Sequence, residues 1–284
     1  MTPADKIAAL EARRHFTLAS MQPDAAIDLA HAALLVAAED EPRFDVAKYR
    51  GLLYEMGLEA RRRVERHADA PVLALNDYLL GELGFTGNQQ DYYDPRNSLL
   101  NHVLDRRTGI PITLSVVYMD VGRRAGLLTE GVGLPGHFVV RVRRDADDER
   151  GIMVDPFQGH IIDEDDCQQR LDVVYGGQIQ LSPEHLRPMT AREILVRLLR
   201  NLKGIYVQAS LYRAAVAVVE RILLLAPQAV EERRDRAVLL AQIQRLPEAI
   251  ADMQSYLDSA PPATDEEAAR EQLKRMRLRL AMHN

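Results

Sequence analysis

A histidine and an aspartate near the middle of the chain are the residues whose types and spacing could do chemistry. His137 lies in the stretch PGHFVVRV, and Asp155 lies in MVDPF, eighteen residues further on. A carboxylate that accepts a hydrogen bond from an imidazole orients the ring, so that its other nitrogen can take a proton from a nucleophile. The pair therefore predicts an acid–base dyad, and the next question is whether a nucleophile accompanies it.

Two antiparallel strands are predicted to position the dyad. Apolar residues alternate in PGHFVVRV and again in GIMVD, and the polar stretch RRDADDER between them is typical of a hairpin turn. A register that pairs apolar with apolar sets Phe138 opposite Val154. The same register sets His137 directly opposite Asp155, with Cβ atoms roughly 4.5 to 5.5 Å apart.

A buried helix is predicted before these strands, over the segment TGIPITLSVVYMDVGRRAGL. Pro111 stands where the first turn should begin, and Gly126 stands where the residue after the C-cap should lie. The middle of the segment is apolar on nearly every side, which is typical of a helix with no solvent face. It carries two hydroxyls, Thr113 and Ser115, and a helical Ser or Thr usually bonds its own backbone.

The region from residue 2 to residue 83 has apolar residues at helical spacing, broken by prolines, and predicts three or four helices. After it, GFTGNQQDYYDPRNS concentrates turn-forming residues, and Asn97 or Ser98 is expected to cap a helix LLNHVLDRR. Tyr92 and Tyr93 in this loop are candidates to line a cleft, or to pack with one edge in water.

A repeat of 34 residues organises the last third of the chain. LYRAAVAVVERILLLAP overlays on RLPEAIADMQSYLDSAP, with Ala215 over Ala249 and Leu223 over Leu257. A period of 34 residues with a small residue in the second helix resembles the tetratricopeptide repeat. DEEAAREQLKRMRLRLAM then predicts a polar capping helix.

Composition excludes several function classes. The net charge is −6 over 284 residues, and Arg is mixed with Asp and Glu, so no basic stripe for nucleic acid is present. The single cysteine, Cys167, excludes an internal disulfide and any multi-thiolate metal site. Without a secretory signal or a membrane-length apolar run, the chain is expected to be cytoplasmic, with no membrane partner.

The motifs together resemble a known family. The stretches YYDPRNSLLNHVLDRRTGIPITLSVVY, PGHFVVRV and VDPF, followed by the repeats, are similar to the bacterial transglutaminase-like family labelled as regulators of sirC expression. The resemblance extends from about residue 30 to the C-terminus. It implies a papain-type fold in which a cysteine at the start of the central helix is activated by the helix dipole and a histidine.

Laying the helix on the transglutaminase pattern brings Pro111 to the position of the cysteine. Proline has no side-chain heteroatom, so the resemblance implies a protein without the nucleophile. Cys167, in the acidic stretch DEDDC, is a poor substitute because neighbouring carboxylates disfavour the thiolate. A metal site made of His137, Asp155 and His160 lacks any recognised ligand spacing.

The expected fold is α+β, with a papain- or transglutaminase-like core over residues 1–185 and all-α tetratricopeptide-like repeats over 186–284. The favoured function is a non-catalytic, regulatory module that binds a protein or peptide through the repeats, without cofactor or metal. The rival is a hydrolase or acyl transferase that uses Ser115 or Thr113 with His137 and Asp155. In a third interpretation the repeats serve only as a dimerisation surface.

Overall fold

The computed structural model describes residues 2–148, 150–259 and 262–282. It divides into two compact units, Met1–Ile194 and Leu195–Asn284, and each is described by itself. The expected domain boundary after residue 185 stays a prediction. Among the helices of the described ranges, none is long and apolar enough to cross a membrane.

Helices dominate the beginning of the first unit. Polar side chains begin four of them: those of Thr2, Asp28, Asp45 and Asp163 accept hydrogen bonds from backbone N–H groups of the first turns. α4 continues directly into a π-helical turn, Asp77–Glu82. The helices are α1 Pro3–Ser20, α2 Leu29–Asp40, α3 Val46–Arg66, α4 Pro71–Asn76, α5 Leu100–Arg106, α6 Pro111–Arg124 and α7 Glu164–Tyr175.

The central helix α6 has the ends that the sequence predicts. Pro111 is in its first turn, where a missing N–H costs nothing because first-turn donors have no partner within the helix. Gly126 follows the C-cap with φ of 91°, a left-handed conformation that favours glycine. Nearly every residue between these ends is buried, so α6 forms the core on which the rest of the unit packs.

The helix α5 is capped differently from the expectation. Its N-cap is Leu99, and no side chain caps it. The Asn97 amide instead donates to the backbone oxygens of Asp91 and Tyr92, at 2.7 and 3.2 Å. The prediction that Asn97 or Ser98 caps α5 is therefore wrong, because Asn97 is used to hold the preceding loop together.

A five-stranded antiparallel sheet carries the candidate dyad. The strand order is β6-β5-β4-β3-β7, and β1 and β2 form a separate parallel pair. The strands are β1 Thr86–Gly87, β2 Thr108–Gly109, β3 Leu128–Val132, β4 Val139–Arg143, β5 Ile152–Asp155, β6 His160–Ile162 and β7 Pro188–Met189.

The hairpin of β4 and β5 forms as predicted, but its register differs by two residues. Val140, not Phe138, pairs with Val154, and Val142 pairs with Ile152. A shift of two keeps every side chain on its expected face, so apolar residues still meet apolar residues. It also means that Asp155 pairs with His160 on the neighbouring strand, rather than lying directly opposite His137.

Both faces of the sheet are covered. The helix α6 packs against β3 and β4 on one face. On the other face, Val139 and Ile162 lie in a small apolar cluster that includes Cys167 of α7. The sheet is therefore held between two apolar layers, which fixes the ends of β4 and β5 where the dyad lies.

The second unit consists of helices that repeat with the predicted offset. The helices α9 and α11 begin 34 residues apart, and Ala215 and Ala249, at equivalent positions, are both fully buried. α8 spans the boundary between the units. The helices are α8 Ala191–Gln208, α9 Tyr212–Leu225, α10 Val230–Gln242, α11 Leu246–Asp258 and α12 Ala263–Ala281.

Candidate functional site

His137 lies in a turn, two residues before β4 begins. Its backbone N–H donates to the Leu134 oxygen at 3.1 Å, and the preceding Gly136 has φ of 69°, which favours glycine. The His137 side chain is only 12% exposed. The turn thus places the imidazole just before the central strand of the sheet, where the protein covers most of its surface.

His137 and Asp155 are hydrogen-bonded, as the sequence predicts. The imidazole Nε2 is 2.8 Å from Asp155 Oδ2. When the carboxylate accepts a hydrogen bond from Nε2–H of a neutral ring, the lone pair of that ring lies on Nδ1. The two side chains therefore have the relative orientation of an acid–base dyad. The strand register from which this contact was predicted is nevertheless wrong by two residues.

Asp155 is fully buried and its carboxylate is saturated with donors. Besides His137, Oδ2 accepts a hydrogen bond from the Arg170 guanidinium at 2.7 Å. Oδ1 accepts the backbone N–H groups of Phe157 and Gln158, at 3.0 and 3.1 Å. A carboxylate has about four acceptor positions, so the protein itself occupies all of them.

The ionisation of Asp155 is set by opposing effects. Burial raises the pKa of this carboxyl, because a charge is poorly solvated inside the protein. The hydrogen bond and charge of His137, the backbone N–H of Gln158 and the charge of Arg170 all lower it, and together they outweigh burial. The pKa of Asp155 therefore lies below its ordinary value, and the group is a carboxylate at neutral pH.

Arg170 is the member of the site that sequence reasoning missed. It lies on α7, fifteen residues after Asp155, and its side chain is 23% exposed. Its local sequence, CQQRLDVV, looks like the polar face of any amphipathic helix. Only the packing of α7 on the sheet shows that its guanidinium shares Oδ2 with the histidine.

A row of aromatic rings begins at the imidazole. The Phe157 ring meets the His137 ring edge-on, with centroids 6.1 Å apart, and Tyr92 meets Phe157 at 6.2 Å. Tyr93 contacts Tyr92 and is 62% exposed. The two tyrosines that the sequence suggested as cleft lining are thus connected to the dyad through Phe157, and they extend an aromatic surface from it.

Phe157 also connects the dyad to the start of α6. Gly87 donates its N–H to the Phe157 oxygen at 3.1 Å, and a Cβ on Gly87 would lie 2.4 Å from the Phe157 ring. Gly87 in turn pairs with Gly109, two residues before Pro111. The start of α6 and His137 are therefore linked through Phe157, Gly87 and Gly109. The correspondence of Pro111 to a nucleophile position stays a prediction.

The two candidate hydroxyls in α6 are fully buried. Thr113 Oγ1 accepts the Ile110 N–H at 3.1 Å and lies 2.8 Å from the Asn97 oxygen, to which it can donate. Ser115 Oγ has no hydrogen-bond partner among the described residues, and so it makes none with His137. Thr113 thus connects the start of α6 to the loop before α5 by hydrogen bonds. Neither hydroxyl is exposed to solvent.

Cys167 and His160 stand outside the dyad. Cys167 is buried in the apolar cluster, and burial, more than its acidic neighbours, raises the pKa of the thiol to about 11. The sequence argument named only the acidic neighbours. His160 is exposed on the edge strand β6. Within the part of the chain that the structure describes, no three His, Cys, Asp or Glu residues are grouped to hold a metal ion.

Comparison with known families now decides the identity of the fold. The sequence profile described as transglutaminase-like superfamily matches residues 47–200, which include α6, the sheet and the dyad. The chain belongs to the transglutaminase-like superfamily. A tetratricopeptide repeat profile matches residues 202–274. The α+β transglutaminase-like fold followed by tetratricopeptide helices, expected from the sequence, is thereby confirmed.

Several curated proteins are similar to this chain. A UPF0162 protein of Xylella fastidiosa strain Temecula1 is 37% identical over 245 residues, which cover 84% of this chain and 86% of that protein. A UPF0162 protein of Vibrio cholerae is 31% identical over 180 residues, or 63% and 66% of the two chains. Human F-box only protein 21 is 38% identical over 96 residues, or 34% of this chain and 15% of that protein. No solved structure gives a significant match.

Proposed function

We propose that this transglutaminase-like protein is not a catalyst, and that it binds a protein or peptide partner through its tetratricopeptide repeats in a regulatory role. The observation that carries the proposal is that α6 begins with Pro111. The predicted alignment with the transglutaminase pattern gives this position to the nucleophile. Covalent catalysis of the transglutaminase type needs an atom there that can be deprotonated. Proline supplies no such atom, so the helix dipole has no nucleophile to activate.

The surroundings of the dyad support a structural role for it. Asp155 holds the turn after β5 through two backbone N–H groups and holds α7 through Arg170. A carboxylate used in this way stabilises the fold whether or not a reaction takes place. The orientation of His137 is then a consequence of this network.

The repeats offer a surface suited to binding. Val207, Leu211 and Leu224 are partly exposed apolar side chains in this unit. Charged residues connect α8 and α10 of the same unit: Glu232 of α10 accepts from Arg200 at 2.8 Å and from Lys203 at 2.7 Å, both on α8. Stacked helical repeats commonly bind peptides on such extended mixed surfaces.

Covalent labelling tests the absence of catalysis. Wild-type protein is treated with cysteine- and serine-directed acylating probes, and adducts are located by peptide mass spectrometry. We expect none in the core. Pro111→Cys is the positive control for position, because a thiol there would lie at a helix N-terminus near an oriented imidazole, and we expect it to be labelled faster than Cys167.

The alternative is an acyl transferase or hydrolase with a hydroxyl nucleophile. The favouring observation is the Nε2 contact of His137 with Asp155, the geometry of an oriented general base. An adduct on Ser115 or Thr113 of the wild-type protein that disappears in His137→Ala would establish this alternative and end the non-catalytic proposal.

Site-specific photo-crosslinking tests the binding role. A photoreactive amino acid replaces Val207 or Leu224 in the repeats, and Leu18, an exposed residue of α1, serves as the matched control. We expect discrete protein adducts from the two repeat positions only. Equal adducts from all three positions, or none, would contradict binding through the repeats.

A further inference from the structure

An apolar groove of about 590 Å³ lies at one corner of the sheet in the first unit, and none of the dyad residues lines it. One wall is the start of α4, and the floor comes from three neighbouring strands. The apolar lining residues larger than alanine are Pro71, Val72, Leu73, Val142, Ile152 and Ile161.

The floor of the groove is the less buried part of one face of the sheet. Val142 pairs with Ile152, and Val154 pairs with Ile161, so all four side chains lie on one face. Val142 and Val154 are fully buried, whereas Ile152 and Ile161 are each 40% exposed. Leu73, on the opposite wall, is exposed as well. Aliphatic side chains grouped in this way on a surface mark an interaction site more often than scattered ones do.

The rim of the groove is acidic. Asp69 approaches from the helical side, and Asp145, Asp147 and Asp148 approach from the β4–β5 turn. Among the described residues that line the groove, Arg144 is the one cation. Backbone N–H groups lower the pKa of Asp148, which is therefore ionised at neutral pH. The aliphatic floor is thus surrounded by a local excess of negative charge.

Two of the four aspartates are not explained by the fold. Asp145 and Asp148 accept backbone N–H groups and so build the hairpin turn. The carboxylates of Asp69 and Asp147 make no hydrogen bond or ion pair among the residues that the structure describes. Both carboxylates line the same groove, where a bound cation would complement their charge.

We propose that this groove binds a peptide segment of a partner protein in which leucine-type side chains are flanked by lysine or arginine. The aliphatic side chains would bury Leu73, Ile152 and Ile161, and the cations would pair with Asp69 and Asp147. The volume is within the range of specific ligand sites, roughly 300 to 1,000 Å³. The site is separate from the repeats and does not depend on the function proposed for them.

Fluorescence anisotropy on the full chain tests the proposal. The probe is a labelled 12-residue peptide with leucine at every third or fourth position and lysine or arginine between. Two control peptides replace the cations by glutamate or the leucines by serine. We expect the first probe to bind, both controls to bind at least tenfold more weakly, and added salt to weaken binding, because exposed charges are screened.

Variants locate the site. Asp69→Asn with Asp147→Asn removes two charges without touching the turn, and we expect about three- to thirtyfold weaker binding. Leu73→Ala with Ile161→Thr should weaken binding similarly while all four aspartates remain. The matched control, Glu55→Gln with Asp165→Asn, removes two exposed charges outside the groove and should change binding less than twofold.

Three results would overturn the proposal. Equal weakening by the control pair would mean that the peptide binds the net charge of the protein rather than this groove. Equal binding of the serine peptide, or competition by spermine at a similar concentration, would mean that the site takes any polycation. Absence of binding by the wild-type protein would exclude the partner chemistry altogether.

Discussion

Replacing Asp155 by Asn is the substitution whose effect follows most directly from the structure. The change removes one charge and turns one carboxylate oxygen into an NH2 group. Either orientation of the amide sets that NH2 against donors, since Oδ2 faces Arg170 and His137 while Oδ1 faces backbone N–H groups. The variant therefore loses charge-assisted hydrogen bonds and leaves a mostly buried guanidinium without its anion.

The magnitude can be worked from these contacts. A hydrogen bond to a charged group contributes about 1.5 to 3 kcal/mol, and removing one partner of a buried ion pair costs about 3 to 5 kcal/mol. Burying a neutral amide costs less free energy than burying a carboxylate, and this difference offsets part of the lost stability. We expect Asp155→Asn to lower the free energy of unfolding by about 3 to 5 kcal/mol at pH 7.

Urea unfolding followed by circular dichroism measures the loss, and hydrogen exchange of the β4 and β5 amides assigns it to the first unit. Asp165→Asn, on the exposed side of α7, is the matched control and should change stability by less than about 0.5 kcal/mol. In an Arg170→Met background the effect of Asp155→Asn should shrink, because the two residues share one contact. A loss below about 1 kcal/mol, or equal losses in both backgrounds, would refute the reasoning.

The same substitution has a predicted pH dependence. The pKa of Asp155 is lowered in the folded protein, so its stabilising contribution is present above the unfolded-state value of about 3.9. That contribution is lost as the pH falls through the lower, folded pKa. The stability difference between wild type and Asp155→Asn should therefore shrink below about pH 4. A difference that grew in acid would contradict the assigned direction.

Gly87→Ala should cost about 1 to 3 kcal/mol in urea unfolding, because its Cβ would overlap the Phe157 ring, whereas Gly51→Ala, which meets nothing within 4 Å, should be neutral or stabilising. Ala249→Leu should lower the thermal stability of the second unit by about 1 to 3 kcal/mol through overpacking, and an unperturbed variant would argue against the 34-residue repeat as a packing unit. Cys167, whose pKa burial raises to about 11, should react with a thiol reagent at pH 8 only after unfolding, and rapid labelling of folded protein would show that its environment is open.

The parts of the fold predicted correctly are those with local signals. The ends of α6 follow from Pro111 and Gly126, each of which acts through its own backbone conformation. The dyad contact was predicted from a register that is wrong by two residues. Apolar alternation has a period of two and cannot distinguish these registers, so the register depends on the connection between β4 and β5, residues 144–151. That connection depends on Asp145 and Asp148 accepting backbone N–H groups.

The parts that could not be predicted depend on distant contacts. Arg170 reaches Asp155 only after α7 has packed on the sheet, and nothing in its own sequence distinguishes it from a solvent-facing arginine. Asn97 is of a residue type that often caps helices, but its amide instead donates hydrogen bonds to loop carbonyl groups. The apolar groove likewise could not be predicted, because it forms where α4 and the strands β4, β5 and β6 come together in the folded chain.

The contacts of Asp155 give a reason for this residue to be retained that does not depend on catalysis. One side chain closes the turn that positions Phe157, anchors α7 through Arg170 and orients His137. In proteins that had lost the reaction, selection would still retain this aspartate, because its replacement would destabilise the fold. The presence of the His–Asp pair in a relative therefore carries little information about turnover. An atom at the first turn of α6 that can be deprotonated is the feature that would indicate it.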